Sequence, residues 1–394
     1  MPGNYRWKHA PMDRVINYPY AGIDFLIDAD LKLVFLEANA VPGGIYVMSL
    51  ANKLVFDLAP SLRDSILTID LVREFVDMCI DYYDFVTNGE CLKRAIVTTP
   101  MNGAPLLMPE RISIYSYLRM RGIECYIVDR TAFRVENNTL MARIGSRVFH
   151  PQLIVRRNTA FPKGLRQVVV NRSEVGLITG SKYRTYRVIE KYLAGRGYLG
   201  KLIRVPKTYF SNRMDDALAK IDSILRDSDV AVVKPNSGSG GKHVYFIHNS
   251  ADAESRIRKI LNHCKSIVIQ EAIETHRLRI NGADYVYDVR VYGFLGRLID
   301  LHARRPKEPV GTRDYMDYWA VSNISRGGIY VPIFSSEEFG VSRWTNRPQV
   351  VLPQKKILLD NHALLIDKKF MRVLETATME IISAISQAAD PRCL

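Results

Sequence analysis

Cysteine is scarce in this 394-residue chain. Its five cysteines, Cys79, Cys91, Cys125, Cys264 and Cys393, are odd in number and far apart, with no C-x-x-C pair. That usage argues against a disulfide framework and against a zinc knuckle, and fits a reducing, cytoplasmic setting. Long apolar runs are missing as well. The best of them, Phe25 to Leu36, is interrupted by Asp28, Asp30 and Lys32 and falls short of the roughly 20 residues a membrane helix needs, so no membrane is expected. The opening Met1-Pro2-Gly3-Asn4-Tyr5-Arg6-Trp7-Lys8 has no apolar core before a small-residue cleavage site, so no secretory signal is expected. No internal repeat or low-complexity segment stands out. Acidic residues are outnumbered 41 to 55 by lysine and arginine, a formal charge of +14. Such a field suits anionic company, whether nucleotide, nucleic acid, acidic carrier protein or acidic substrate, although a basic solvated surface explains it equally well. Hydrophobic residues make up 47%, enough to bury a large core over about two or three domains.

Periodicity organises the chain. Ile23, Phe25 and Ile27 precede an Asp28-Ala29-Asp30 turn, and Leu31 to Asn39 resumes the apolar pattern until Pro42-Gly43-Gly44 stops it, which predicts a β-hairpin over 20–40. Helical spacing follows over 45–90, with Leu71, Phe75, Met78, Cys79 and Tyr82 on one face. A βαβ pattern opens at Ala95 to Thr99, with a helix around Ile112 to Met120, a strand at Cys125 to Val128 and another at Leu153 to Val155. A helix contains Tyr183 to Leu193. From Val230 come strand, Gly-rich loop, strand, a helix over Ala251 to His263, and a strand at Ile267 to Gln270. Tyr285 to Ala303 is strand-rich, Arg304 to Tyr318 reads as a polar loop, and an amphipathic helix spans roughly Lys369 to Ala388.

Three groups of residues carry chemistry. In Val232-Val233-Lys234-Pro235-Asn236-Ser237-Gly238-Ser239-Gly240-Gly241-Lys242 a strand delivers a lysine and opens into a loop of little bulk. Its amides can approach phosphate oxygens while Lys234 supplies charge, yet a plain flexible hairpin has the same look. The G-x-x-x-x-G-K-[ST] order of a Walker A loop is absent, and so is the context of a dinucleotide fold. In the opening hairpin, Glu37 and Asn39 share a strand face and Asp24 can lie beside them, giving three oxygens suited to hard Mg²⁺. A solvated hairpin is the plainer alternative, but Leu36, Ala38 and Ala40 surround Glu37 and Asn39. The third group is Asp288-Val289-Arg290, followed by Arg304-Arg305 and Asn323-Ile324-Ser325-Arg326-Gly327-Gly328. Guanidiniums there can stabilise developing negative charge, or simply make a surface ion-pair strand.

Taken in order, these groups resemble the ATP-grasp superfamily. Gly22-Ile23-Asp24 and Glu37-Ala38-Asn39-Ala40-Val41-Pro42-Gly43 look like its G-[IV]-D and E-x-N-x-x-P-G motif, and Lys234 to Lys242 like its Lys-Pro strand and flexible loop. Ser181-Lys182-Tyr183-Arg184-Thr185 resembles the helix start bearing an earlier family lysine, with Ser in place of Asp. Ile269-Gln270-Glu271-Ala272-Ile273 matches the adenine hinge, and Asp288-Val289-Arg290 with Asn323 to Gly328 matches the D-[IV]-R strand and N-x-x-x-G-G turn. The last family motif opens this chain, and the helix that should precede it ends the chain, the order a circular permutation produces.

The resemblance implies an α+β ATP-grasp fold in which two α+β subdomains clasp ATP, with an αβ pre-ATP-grasp domain. Residues 1–45 would be the permuted hairpin of the C-subdomain, 46–94 a helical connector, 95–170 the pre-ATP-grasp domain, 171–275 the N-subdomain and 276–394 the C-subdomain. ATP and Mg²⁺, or Mn²⁺ in its place, are the implied cofactors. The phosphates would meet Lys182, Lys234 and the loop Ser237, Gly238, Ser239, Gly240 and Gly241. The base would meet Gln270, Glu271, Ala272 and Ile273, with Asp288 also near the nucleotide. Asp24, Glu37 and Asn39 would hold the metal, and Arg290, Arg326, Gly327 and Gly328 would serve the acyl centre. The implied reaction joins a carboxylate to an amine through an acyl phosphate. A small-molecule kinase on the same scaffold and a non-catalytic nucleotide-binding module are the rivals. An amino acid or peptide is the expected partner, an acidic peptide, a carrier protein and a homodimer stay open, and no nucleic-acid-binding motif is seen.

Overall fold

The computed structural model describes residues 12–100, 108–157, 161–238, 243–311, 327–343, 349–352 and 355–390. The opening hairpin is built from Tyr20–Ile27 and Leu33–Asn39, with Asp24 opposite Glu37 and Gly22 opposite Asn39. Asp28 fixes its turn: the carboxylate accepts from the amides of Asp30 (3.0 Å) and Lys32 (2.8 Å), while Leu31 takes a left-handed φ of 60°. The second strand therefore starts at Leu33 rather than Leu31.

This hairpin lies inside an eight-stranded sheet. Across it run Ile203–Arg204, Leu33–Asn39, Tyr20–Ile27, Asp288–Phe294, Arg297–Arg305, Ile329–Ser336, His362–Asp367 and Gly340–Arg343. Directly opposed residues of antiparallel strands share a face. Glu37, Asp24, Arg290 and His302 thus form one row across four strands, with Asp288 opposite Arg304 two residues along. The other face is covered by the helix Lys368–Ala388, whose Ile382 and Thr378 approach so closely that a Cβ on Gly293 would lie 2.6 Å from Ile382 Cδ1. The strand Arg297–Arg305 includes Arg304 and Arg305, where the sequence reads as a polar loop. Both are buried because Asp24, Asp288 and Asp360 neutralise them.

The helices Ile45–Leu58 and Leu71–Val86 follow the hairpin, and Leu71, Phe75, Met78, Cys79 and Tyr82 are all buried, as their spacing predicts. Next comes a parallel sheet in the order Glu124–Asp129, Arg94–Thr99, Leu153–Val155, Val168–Val170, with the helix Met108–Met120 as its first crossover. An antiparallel meander of Phe133–Glu136, Thr139–Ile144 and Arg147–Phe149 interrupts it, turning at Asn137 and Asn138, both left-handed.

A second, four-stranded antiparallel sheet has the order Thr208–Ser211, Ile267–Glu271, Ala231–Pro235, Tyr245–Ile247. The helices Met214–Leu225 and Ser250–Leu261 pack on it around its own core of Ala217, Ile221, Val233, Ile257 and Ile269. The helix Lys182–Ala194 connects the two sheets. Its N-cap is Ser181, whose hydroxyl accepts from the Arg184 amide, so the serine does the capping work an aspartate would do.

Candidate active site

Two lysines and a carboxylate from distant parts of the chain converge where the sheets meet. Asn236, two residues after Lys234, organises the lysine side: its side-chain oxygen accepts from the Ser181 hydroxyl (3.2 Å) and the Tyr183 amide (3.0 Å), and its carbonyl from the Lys182 amide (2.8 Å). The start of the Gly-rich loop is thereby locked to the start of the helix. Lys182 Nζ donates to the carbonyl of Gly238 at 2.7 Å, and Gly238 has φ +104°, a conformation glycine adopts without strain. Ser237 is described alongside it; Ser239, Gly240, Gly241 and Lys242 lie outside the described residues.

Lys234 is buried and donates to the hydroxyl of Tyr186 at 3.1 Å. That hydroxyl in turn donates to the carbonyl of Leu36, the residue before Glu37. Burial lowers the Lys234 ammonium to about 8 against the opposing pull of the Glu37 charge. Lys182 is lowered too, by burial first; Glu37 resists this and Lys234 adds to it. Each of the three charged groups therefore feels the others.

On the hairpin side, Asp24 accepts from Arg290 Nε and Nη2 at 2.6 Å each and from Arg304 Nη2 at 2.9 Å. Burial alone would raise this carboxyl, but Arg290 and then Arg304 outweigh it and hold Asp24 well below the usual carboxylate range. Arg304 also grips Asp288 through Nε (2.9 Å) and Nη2 (2.5 Å), so the Asp288 carboxylate is engaged within the sheet. Glu37 is half-buried, 3.6 Å from Arg290 Nη2 and 3.4 Å from the Asn39 amide nitrogen. Burial and then the adjacent Asp24 charge raise it, against Arg290 and Lys182. Two carboxylates held side by side, with the Asn39 amide donating to Glu37, form a set of oxygen donors of the kind a hard divalent ion takes. Glu37 and Asn39 are its open members, while guanidiniums take most of the lone pairs of Asp24.

On the strand Ile267–Glu271, the buried Gln270 donates to Thr208 Oγ1 at 2.7 Å. The Glu271 carboxylate takes Arg204 Nη2 and the Lys207 amide, each at 2.9 Å. The Glu271 and Ala272 amides bond to the carbonyls of Lys207 and Val230, and Ile273 follows where the strand has ended. Gly327, with φ +94°, and the buried Gly328 lead into Ile329–Ser336; Arg326 lies outside the described residues.

Sequence reasoning overlooked Tyr186, Asn236 and the strand position of Arg304. Asp300, His302 and Arg304 alternate with apolar residues in Arg297–Arg305, a period-two signal that could have placed Arg304 on the polar face of a strand.

No protein-family model matches the sequence, and no curated protein matches it. Solved structures do. A candidate gamma-glutamylcysteine synthetase from Methylobacillus flagellatus superposes with a TM-score of 0.60 at 13% identity, covering 94% of this chain and 89% of its own. The chain has the ATP-grasp fold. Weaker likenesses are a glutathione synthetase-like effector from Globodera pallida (TM-score 0.46, 13% identity, 74% of this chain and 76% of that one) and the VanG D-Ala:D-Ser ligase from Enterococcus faecalis (0.44, 12%, 75% and 83%). Among the described residues no helix is long and apolar enough to cross a membrane. The eight-stranded sheet carries the row of Glu37, Asp24 and Arg290, and the four-stranded sheet carries Lys234 and the strand Ile267–Glu271.

Proposed function

We propose that this chain is an ATP-dependent ligase joining a carboxylate to an amine. A substrate carboxylate oxygen attacks the γ-phosphorus, the bond to the bridging oxygen breaks, and ADP leaves an acyl phosphate. The amine then attacks the acyl carbon, phosphate departs and an amide remains. Lys182 and Lys234 hold the ATP phosphates under the Ser237 to Gly241 loop, and the backbone from Gln270 to Ile273 receives the base. Asp24, Glu37 and Asn39 are the proposed metal ligands, and the ion would offset phosphate charge during transfer. Arg290, anchored by Asp24, faces the acyl centre with Arg326 and the amides of Gly327 and Gly328.

The observation that carries this reading is the chain of contacts from Lys234 through Tyr186 to Leu36, which sets that buried lysine beside the strand bearing Glu37 and Asn39. A permuted order agrees with the packing of Met12–Val15 on the helix Lys368–Ala388, where Arg14 meets Glu380 at 3.1 Å and Asn17 bonds to Ser386 at 3.1 Å. The test is ATP turnover over a library of amino acids and peptides, with mass spectrometry of the products. Amide with ADP and free phosphate supports the ligase; a phosphorylated product without amide supports the kinase; no ATP turnover with any substrate overturns both.

A further inference from the structure

We infer that Tyr186 is a positioning residue that aims the Lys234 ammonium at the ATP phosphates and ties it to the backbone of the carboxylate strand. The inference rests on the proposed function of the cleft. A phenol hydroxyl has one proton to donate and lone pairs to accept with. Here the proton goes to the Leu36 carbonyl, so a lone pair is left facing Lys234 Nζ at 3.1 Å. The ammonium has three N–H bonds, and Tyr186 is its one hydrogen-bond partner among the described residues. Among the described residues that one neutral acceptor sets its direction, and no other described group takes its remaining donors.

The ring adds to this. Lys234 Nζ lies 5.2 Å from its centroid, and Phe35, the neighbour of Leu36, packs edge-on against it at 5.5 Å. Tyr186 follows Lys182 by one helical turn, so a single helix face presents Lys182 and the tyrosine that orients Lys234. Among the described residues, the ionisable groups that act on Lys234 are Glu37 from the hairpin and Lys182 from the helix. Tyr186 is the uncharged contact that fixes the spacing between the lysine and the Glu37 strand. A neutral acceptor suits that task, since a carboxylate in its place would compete with the incoming phosphates for the ammonium.

The test is a double-mutant cycle on Mg-ATP affinity, read by calorimetry with the full chain. Tyr186→Phe keeps the ring and removes the hydroxyl, and should weaken ATP binding by about tenfold, the scale of a hydrogen bond to a charged group, with adenosine affinity unchanged. In a Lys234→Met background the same change should have almost no effect. Equal ATP affinity in wild type and Tyr186→Phe, or additive losses in the cycle, would overturn the assignment. Wild type that does not bind ATP would instead sink the function on which it rests. If Tyr186→Phe does not fold, Tyr186→His retains a ring and a polar nitrogen and runs the same cycle, with additivity again the contradicting result.

Discussion

Lys234 offers the sharpest handle at the scale of single residues. Burial holds its ammonium near 8, and only the protonated form attracts phosphate. ATP affinity should be full below about pH 8 and fall as pH rises through it, by about tenfold per further unit. Lys234→Arg should keep only the later part of this fall that comes from Lys182, because a guanidinium stays charged, and a wild-type affinity flat between about pH 7 and 9.5 would contradict the assignment. Glu37→Gln keeps the shape of the side chain and removes its charge, so Mg-dependent turnover should drop by about 100-fold or more with melting unchanged. Full activity would remove Glu37 from the metal set. Arg304→Met should act differently, leaving Asp24 and Asp288 buried with a guanidinium missing, at a cost of about 3–5 kcal/mol in denaturant unfolding at pH 7. Asp24 is depressed in the folded state, so its contribution is present above the usual carboxylate range and lost as pH falls through its folded value; the gap from wild type should narrow there. Glu37, Asn39, Lys182 and Lys234 were singled out in sequence by their likeness to family motifs, and the fold brings Glu37, Lys182 and Lys234 within reach of one another's charge. Tyr186 was not, since an aromatic at helical spacing reads as core, and nothing local reveals that its hydroxyl meets a lysine 48 positions away.

At the scale of elements, the close approaches depend on small residues. A Cβ on Gly22 would stand 2.5 Å from Pro42 Cβ, and one on Gly293 would meet Ile382 and Thr378 on the covering helix. Gly22→Ala meets a rigid proline ring and should displace the Pro42 to Gly44 turn, which Glu110 and Arg157 hold through the Gly44 amide (2.8 Å) and the Pro42 carbonyl (2.9 Å). Gly293→Ala meets flexible side-chain ends, and its cost should lie in the overpacking range of about 1–3 kcal/mol. Thermal unfolding of the pair should rank Gly22→Ala as the worse; the reverse order would mean that the turn yields more readily than the helix. The hairpin, the helix Leu71–Val86 and the helix Lys368–Ala388 were readable because each sustains one period over many residues. The meander over 133–149 and the strands between Gly340–Arg343 and His362–Asp367 were not, since most are short and several alternate weakly between buried and exposed positions.

For the whole molecule, the decisive contacts are pairings between residues far apart in sequence. Asp24 faces Arg290 across adjacent strands, and Leu36 meets Tyr186. Local pattern specifies neither; the order of the motifs led only to the expectation that the opening hairpin comes opposite the lysine-bearing loop. The most direct measurement is a crystal structure with Mg²⁺ and a non-hydrolysable ATP analogue. The triphosphate should lie between Lys182 and Lys234 on one side and Glu37 and Asn39 on the other, with a metal on the Glu37 carboxylate. A nucleotide bound elsewhere, or one that touches the lysines while Glu37 contacts neither metal nor phosphate, would contradict the account.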